Sequence, residues 1–374
     1  MTNALAHRPV TIIGAGIGGL TAALALAQRG ARVRVRERAG ALREVGAGIQ
    51  LSPNAMRVLA ALGLREAVLA ASAPNPAVAL NDANGALVIR LDVARFRPGD
   101  DFRTIHRARL VDLLADSARA AGVQITLNDP VETLPDAPLL IGADGLHSRT
   151  RTALNGQETP FFTGQTAWRA LIPAERDAEP GAQVFMGPGR HLVSYPLACG
   201  LRNIVAVIER PDWTAEGWSQ PDDPQNLRAA FAQFGGPVPD WLARIKTCGV
   251  WGLFRHEIAA NWHDDHRAIL GDAAHPTLPF LAQGACMAIE DAWTLTACLD
   301  ADADQPRALA RYQALRRDRC TRIVDAATAN ARNYHLTGPR RAAAHAALRL
   351  AGRVAPRKVF EKFAWVYDHD PTAI

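Results

Sequence analysis

A glycine-rich segment near the N-terminus, IIGAGIGGL, most strongly constrains what this chain can fold into. It follows the apolar run Val10 to Ile13, which predicts a buried strand, and it precedes an Ala- and Leu-rich stretch with helical spacing. In the G-x-G-x-x-G pattern, Gly14 permits a tight turn and Gly16 lets a pyrophosphate approach the backbone at a helix N-terminus. Gly19 lets the helix and the strand pack closely.

An acidic residue completes this pattern one strand later. The segment ARVRVRER alternates apolar and basic residues and predicts a second strand, which Glu37 closes. A carboxylate there can accept hydrogen bonds from a ribose diol, and Arg38 is the adjacent candidate contact. A glycine-rich turn without a ligand is the simpler interpretation of the glycines alone. The ordered strand, helix and acid favour a dinucleotide site, and they leave FAD against NAD open.

Length and composition limit the remaining classes of protein. The 374 residues suggest about two domains at ~150 residues each, and 48% hydrophobic with 21% charged residues is a globular composition. The net charge of +5 contains no block of like charges, so we expect no nucleic-acid partner. Five cysteines without a CxxC motif predict reduced thiols and a cytoplasmic location. No apolar run reaches the ~18 residues of a membrane span, and we interpret the basic C-terminal stretch as a solvated helix face.

Buried strand patterns recur at three separated places, so one domain is predicted to be discontinuous. Between the second and third of them, short runs with Trp, Pro and Gly are typical of a mixed or antiparallel sheet. The predicted division assigns 1–72, 101–160 and 252–330 to the nucleotide-binding domain, 73–100 and 161–251 to a substrate-binding β-sheet domain, and 331–374 to a C-terminal helical segment.

Two further motifs extend the glycine pattern into an ordered set. GADGLHSRTR contains Asp144 and Arg151, and LGDAAHP contains Asp272. With EVGAGIQLSPNA, IHRARL, AWRALIP and QGACMAIEDA, they cover nearly the whole chain. In this set the chain resembles the FAD-dependent aromatic hydroxylases, the single-component flavoprotein monooxygenases, and most resembles their salicylate and 3-hydroxybenzoate hydroxylase branch.

The resemblance implies an α/β fold with an FAD-binding Rossmann-type parallel-sheet domain, an inserted mixed β-sheet substrate domain and a helical C-terminus. It also implies non-covalent FAD, with NADH or NADPH as a transient co-substrate. Asp272 would bond the ribityl hydroxyls, and backbone amides at a helix N-terminus would stabilise negative charge on the reduced flavin. The residues implied to contact FAD are Gly14, Gly16, Gly19, Glu37, Arg38, Gln50, Arg107, Asp144, Asp272, Gly284 and Ala285.

The activity that the resemblance implies is hydroxylation of a small aromatic, phenolic acid-like substrate with O₂, through a flavin hydroperoxide. A base near the substrate hydroxyl would help, because the ring is activated when its phenol loses a proton. In GRHLVSYPL, His191 and Tyr195 lie four positions apart and share a face if this run is a strand. Spacing alone fits an ordinary half-buried sheet face, whereas the resemblance implies that the pair lines the substrate pocket. Gln283 is the third pocket candidate, with a satisfied amide in a turn as its alternative.

Other functions share this fold and stay open at this point. A flavoprotein reductase or oxidase, or a hydroxylase of quinone precursors, would bind FAD in the same way, and a non-enzymatic flavin redox sensor is a further alternative. His263 and His266 lack partners at metal-ligand spacing, so we expect no metal. His275 is expected to be structural. A homodimer is the assembly considered for this chain.

Overall fold

The computed structural model describes residues 4–42, 47–213 and 220–374. The first three residues of the EVGAGIQLSPNA match lie outside these ranges. The strands are β1 (Pro9–Ile13), β2 (Arg32–Arg36), β3 (Gly48–Leu51), β4 (Ser72–Pro74), β5 (Ala77–Asp82), β6 (Leu87–Asp92), β7 (Arg103–His106), β8 (Gln124–Thr126), β9 (Leu140–Gly142), β10 (Phe161–Pro173), β11 (Ala182–Gly187), β12 (Arg190–Pro196), β13 (Leu201–Glu209), β14 (Gln220–Asp222), β15 (Cys248–Arg255) and β16 (Arg267–Ile269).

Helices connect these strands and form the C-terminal part of the chain. They are α1 (Ile17–Gln28), α2 (Pro53–Ala61), α3 (Arg65–Ala71), α4 (Val93–Phe96), α5 (Arg107–Ala120), α6 (Arg149–Asn155), α7 (Pro224–Ala230), α8 (Val238–Ala243), α9 (Gly284–Ala301), α10 (Gln305–Tyr334), α11 (Gly338–Val354), α12 (Pro356–Glu361) and α13 (Ala364–Tyr367). Short 3₁₀ turns span Gly271–Ala273, Pro279–Leu281 and Pro371–Ala373.

A five-stranded parallel sheet with the order β16-β9-β1-β2-β8 carries the glycine motif. Its central strand β1 runs into the glycine turn and then into α1, which packs against α5 and α9. Leu20, Leu24 and Leu26 of α1 are almost completely buried, because α1 packs between the sheet and helices α5 and α9. The predicted Rossmann-type fold is confirmed.

The second large sheet has eight strands in the order β14-β15-β10-β13-β12-β11-β5-β6. Only its β11–β5 pair is parallel among the described strands, so the predicted mixed sheet is confirmed. Alternation along the strands gives it two apolar faces. Trp168 and Leu192 lie on the face that α7 and α8 cover, and Ala167 and Val207 lie on the face that packs against Leu278 and other residues before α9.

A small antiparallel sheet, β3-β7-β4, is formed by strands that lie between β2 and β8 in the sequence. The predicted domain boundary between 72 and 73 falls inside its strand β4. Gly48 of β3 approaches β13 so closely that a Cβ there would lie 2.7 Å from the Tyr195 ring and 2.9 Å from Asn203. The small sheet therefore packs directly against the eight-stranded sheet.

The C-terminal segment is helical, as predicted, and it packs on the rest of the chain. Gly352 of α11 lies over Ile89 of β6, and Arg349 bonds to Asp82 at 2.8 Å. The Arg349 guanidinium thus contributes to packing as well as to the basic surface. Within the described ranges, no helix is both long and apolar enough to cross a membrane.

Candidate active site

The three glycines of the glycine turn have different roles. Gly14 and Gly19 allow close packing, and Gly16 leaves space for a ligand. A Cβ on Gly14, whose φ is +99°, would lie 2.3 Å from the Ala143 carbonyl oxygen, and one on Gly19 would lie 2.1 Å from the Gly14 carbonyl oxygen. At Gly16 a Cβ would meet nothing within 4 Å. Because α1 starts at Ile17 without a side-chain cap or an acid in its first turn, its amides can receive a phosphate at this open position.

Glu37 lies at the mouth of the glycine turn and is held there by backbone donors. Its Oε2 accepts the Ala15 amide at 2.8 Å, and its Oε1 accepts the Ala39 amide at 2.9 Å. A carboxylate has further lone pairs, so Glu37 can still receive a ribose diol. The exposed Arg38 directly follows it. These residues fit the nucleotide half of FAD.

Asp144 has a local structural role in addition to its predicted cofactor contact. Its carboxylate accepts the Ser148 hydroxyl at 2.5 Å and the Arg149 amide at 2.9 Å, which satisfies donors at the start of α6. Its Cα lies 3.2 Å from the position of a Cβ on Gly14. Asp144 therefore adjoins the glycine turn, and its contact with the cofactor stays a prediction.

Arg151 joins the second motif to the third. Its guanidinium is almost completely buried and donates to the carbonyl oxygens of Ala273 at 3.2 Å and Glu257 at 2.7 Å. This bond holds the start of α6 against the 3₁₀ turn that follows β16. The two motifs, more than 120 residues apart, thus form one structural unit.

Asp272 occupies the turn after β16 and differs from the other acids near it. No described residue donates a hydrogen bond to its carboxylate. Burial raises the pKa of Asp272, and the nearby charges of His275 and Arg107 oppose that rise. An acid in this state has free acceptor positions, so it fits the polyol chain of FAD that the sequence predicts for it.

A buried ion-pair network bonds to the turn that contains Asp272. Asp291 accepts the Gly271 amide at 2.9 Å, pairs with His275 and accepts Nε of Arg316 at 2.7 Å. The side chains of all three charged residues are at most 1% exposed. Burial alone would lower the pKa of His275, but the charge of Asp291 reverses this and places the pKa well above its usual value. His275 thus forms a buried ion pair with Asp291, and the structural role expected for it stays a prediction.

The neighbouring acid, Glu290, extends the network to the start of α9. Arg316 and Arg319 both pair with Glu290, and Asn54 donates to it. Burial alone would raise the pKa of Glu290, but the charges of Arg316 and Arg319 lower it to about 2. Asn54 also donates to Gln283, which is the residue preceding α9, at 3.1 Å.

Gln283 therefore has hydrogen bonds at both ends of its amide. Its Oε1 accepts Asn54, and its Nε2 donates to Ser52 at 3.0 Å. It is 3% exposed. This bonding matches the satisfied-amide interpretation, while its position next to Gly284 and Ala285 matches the pocket interpretation. Helix α9 starts at Gly284 without a side-chain cap, so the amides of its first turn can stabilise an anion.

A cavity of about 50 Å³ adjoins the start of α9. Four parts of the chain enclose it: strand β3 with the residue after it, the segment 75–102, the turn before α9, and the C-terminal helices. Gln50 is at its edge, and the Gln50 side chain accepts Asn75 at 3.0 Å. The lining residues are Gln50, Leu51, Ser52, Asn75, Val78, Leu91, Val93, Phe102, Leu281, Ala282, Gln283, Phe360, Phe363 and Tyr367.

His191 and Tyr195 both lie on β12 and project from the same face, as their spacing predicts. Both are buried, and neither lines the cavity just described. The His191 ring packs against Phe280 at 5.0 Å and Tyr334 at 5.2 Å, whereas Tyr195 packs against Gly48. His191 thus adjoins the turn before α9, and Tyr195 adjoins the small sheet.

Sequence reasoning missed the buried network. The sequence signal of this network is the pair Glu290 and Asp291 in the otherwise apolar helix QGACMAIEDAW, because buried acids require buried cations. His275, Asp291 and Cys320 also have ligand atoms within 4.8 Å of one another. Because Asp291 already pairs with Arg316 and His275, a metal ion would have to displace Arg316 and remove the proton of His275.

The FAD binding domain family model matches residues 7–137 and 127–327. A 3-amino-4-hydroxybenzoate 2-monooxygenase of Streptomyces platensis is 34% identical over all of this chain and 99% of its own length. A 3-hydroxybenzoate 6-hydroxylase of Polaromonas naphthalenivorans is 32% identical over 98% of this chain and 97% of its own. HpxO of Klebsiella pneumoniae, crystallised with FAD and uric acid, superposes with a TM-score of 0.82 at 28% identity, covering 95% of this chain and 96% of its own.

The fold and the site together define an FAD-binding protein of the Rossmann type. The similarity spans the whole chain, and it includes monooxygenases that are 32–34% identical. The chain belongs to the FAD-dependent aromatic hydroxylases, the single-component flavoprotein monooxygenases.

Proposed function

We propose that this protein hydroxylates a phenolic aromatic acid of the hydroxybenzoate class with NAD(P)H and O₂. The observation that carries the proposal is a buried histidine, His191, packed against Phe280 in the turn that leads to the start of α9. A substrate bound next to β12 would thus lie between His191, which would act as the base, and the start of α9, which would adjoin the flavin. The two relatives described above are named for substrates with a hydroxyl and a carboxylate on one benzene ring.

Residues of this chain would hold FAD in an extended form. The amides at Gly16 would receive the pyrophosphate, Glu37 the ribose, and Asp272 the ribityl hydroxyls. The first amides of α9, at Gly284 and Ala285, would face the pyrimidine ring. When bound, FAD supplies the activation of O₂, with electrons from NADH or NADPH.

The protein would supply a base and a dry pocket. Burial lowers the pKa of His191 well below its usual value, and the nearby His335 lowers it further. His191 is therefore neutral at neutral pH and can accept the phenol proton. Burial raises the pKa of Tyr195, so its hydroxyl keeps its proton and can orient the substrate. Gln283 completes the proposed pocket from the other side.

The test is substitution of the proposed pair with FAD content as a control. His191→Ala and Tyr195→Phe should keep normal FAD and lower hydroxylation, with more NAD(P)H oxidised per product and more hydrogen peroxide formed. General acid–base catalysis is worth ~10²–10⁴-fold in rate, which sets the scale of the loss for His191. His266→Ala, which removes an exposed histidine, is the matched control. Unchanged rate and coupling in both variants would place the base elsewhere.

The same assay separates the alternatives. A phenol that stimulates NAD(P)H oxidation and gains an oxygen atom supports a hydroxylase, whereas oxidation without an oxygenated product supports a reductase or oxidase. A flavin sensor would show neither. We also propose the domain division given above and a cytoplasmic location, which the free state of all five cysteines supports. A homodimer stays a prediction that light scattering tests.

A further inference from the structure

A chain of two histidines and a glutamate leads from the interior of the eight-stranded sheet to the surface. Nδ1 of His191 lies 2.7 Å from Nε2 of His335, and Nδ1 of His335 lies 2.9 Å from Oε1 of Glu209. His191 and His335 are 1% and 5% exposed, whereas the Glu209 side chain is 56% exposed. The chain therefore has one buried end and one end in water.

Three elements fix the positions of these residues. His191 is on β12, Glu209 ends β13, and His335 is the residue that follows α10. Gly189 links His335 to Glu209, because its amide donates to the His335 carbonyl at 3.2 Å and its carbonyl accepts the Glu209 amide at 2.8 Å. The hydrogen-bonded chain thus rests on backbone bonds and not on side-chain packing alone.

Glu209 determines which nitrogen of each histidine carries the proton. An ionised carboxylate only accepts, so Nδ1 of His335 must donate to it. In a neutral imidazole the other nitrogen then accepts, so Nε2 of His335 receives Nδ1–H of His191. By the same rule Nε2 of His191 carries no proton. No described residue bonds to this Nε2, which is therefore an acceptor without a protein donor.

The surrounding groups favour this neutral pair. Burial lowers the pKa of His335, and the charge of Glu209 opposes that effect while the charge of Arg190 adds to it. Burial raises the pKa of Tyr334, whose ring packs on His191, to about 12, so Tyr334 keeps its proton and does not compete as a base. The titratable groups that face the pair are thus Tyr334, Arg190 and Glu209.

We propose that His335 and Glu209 form a proton path with His191, and that they hold the His191 Nε2 ready to accept the substrate proton. The proposal rests on the function proposed above. The phenol O–H breaks as N–H forms at His191 Nε2, His191 Nδ1 passes its proton to His335 Nε2, and His335 Nδ1 passes its proton to Glu209 and then to water. The reverse sequence protonates the product oxygen and restores both tautomers.

The first test needs no substrate. Nitrogen NMR of the holoenzyme, with the His191 signals assigned by their loss in His191→Gln, reports which ring nitrogen is protonated. We expect Nδ1–H at His191 in the wild type, and a mixture of tautomers in Glu209→Gln. Protonation of His191 at Nε2 in the wild type would overturn the proposal, whatever the substrate is.

The second test follows the proton. The wild-type holoenzyme is mixed with 3-hydroxybenzoate in weak buffer, and a pH indicator follows the release of the proton. In a separate measurement, fluorine NMR of a fluorinated analogue gives the ionised fraction of the bound ligand. His335→Gln can keep the hydrogen bonds but cannot pass a proton, so it should slow proton release at least about tenfold, as should Glu209→Gln to a smaller extent. Both variants should keep normal FAD.

Glu179→Gln is the matched control, because it removes an exposed acid from the same sheet domain. It should behave as the wild type. Equal rates of proton release in the wild type, His335→Gln and Glu209→Gln would overturn the proposed path. If the wild type binds no phenol, the proposed substrate class is wrong, and the tautomer measurement still decides the present inference.

Discussion

Replacing Arg316 with methionine removes the cation that two buried acids share. Arg316 pairs with Glu290 and Asp291, and both acids are completely buried. Breaking a buried ion pair by removing one partner costs ~3–5 kcal/mol, because an uncompensated charge stays in the interior. Methionine has a similar length, so the loss should come from the charge and not from a large cavity.

The pKa of Glu290 points in the same direction. The pKa of Glu290 falls from 4.5 to about 2 in the folded protein. At about 1.4 kcal/mol per pKa unit, this shift corresponds to about 3 kcal/mol of stability at neutral pH from Arg316, Arg319 and Asn54 together. Arg319 stays next to Glu290 and His275 stays next to Asp291 in the variant, so we expect a loss near the lower end, about 3 kcal/mol.

The assay is urea denaturation of the apoprotein, followed by far-UV circular dichroism. Arg317→Met is the matched control, because Arg317 is the exposed neighbour on the same helix, and surface substitutions are usually within about 0.5 kcal/mol. The double variant Arg316→Met, Glu290→Gln should recover part of the loss, since it removes one of the two acids that each lost a cation. An Arg316→Met variant as stable as Arg317→Met would refute the reasoning.

Three other predictions follow from the same site. Gly16→Ala should keep the melting temperature and weaken FAD binding. Gly19→Ala should lower the melting temperature, because its Cβ would lie 2.1 Å from a carbonyl oxygen. Thermal melts and FAD titration distinguish the two variants. Asp272→Ala should weaken FAD retention by roughly 1.5–3 kcal/mol for each lost charge-assisted bond, with an unchanged far-UV spectrum, and equal FAD affinity would contradict its placement. Because the folded pKa of Glu290 is lowered to about 2, its contribution is fully present above pH 4.5 and is lost as the pH falls toward 2. Glu290→Gln should flatten that acid limb in denaturation curves from pH 5 to pH 2.

The parallel sheet and the glycine turn could be predicted because their signals are local. Gly14, Gly16 and Gly19 lie within six positions, and the structure gives each a distinct role: a turn with φ of +99°, an open position and a close packing contact. The same holds for His191 and Tyr195, whose common face follows from strand alternation alone. What surrounds each of them depends on the distant residues that pack there.

The buried network and the histidine chain could not be predicted, because their members meet only in three dimensions. Asn54 and Glu290 are 236 positions apart, and His191 and His335 are 144 positions apart. Arg316 is one of several arginines in α10, and no local feature distinguishes the buried one. The acids on α9 require buried cations, but only the fold determines which arginines supply them.

The C-terminal segment shows how this network affects the cavity. Arg319 pairs with Glu290 and also donates to the carbonyl oxygens of Trp365 at 3.0 Å and Val366 at 2.8 Å. Those two residues lie in α13, which ends at Tyr367, a lining residue of the cavity. Glu290 is therefore connected through Asn54 to the turn before α9, and through Arg319 to the opposite wall of the cavity. A substitution at Glu290 would thus change the shape of the cavity as well as stability, even though Glu290 does not line it.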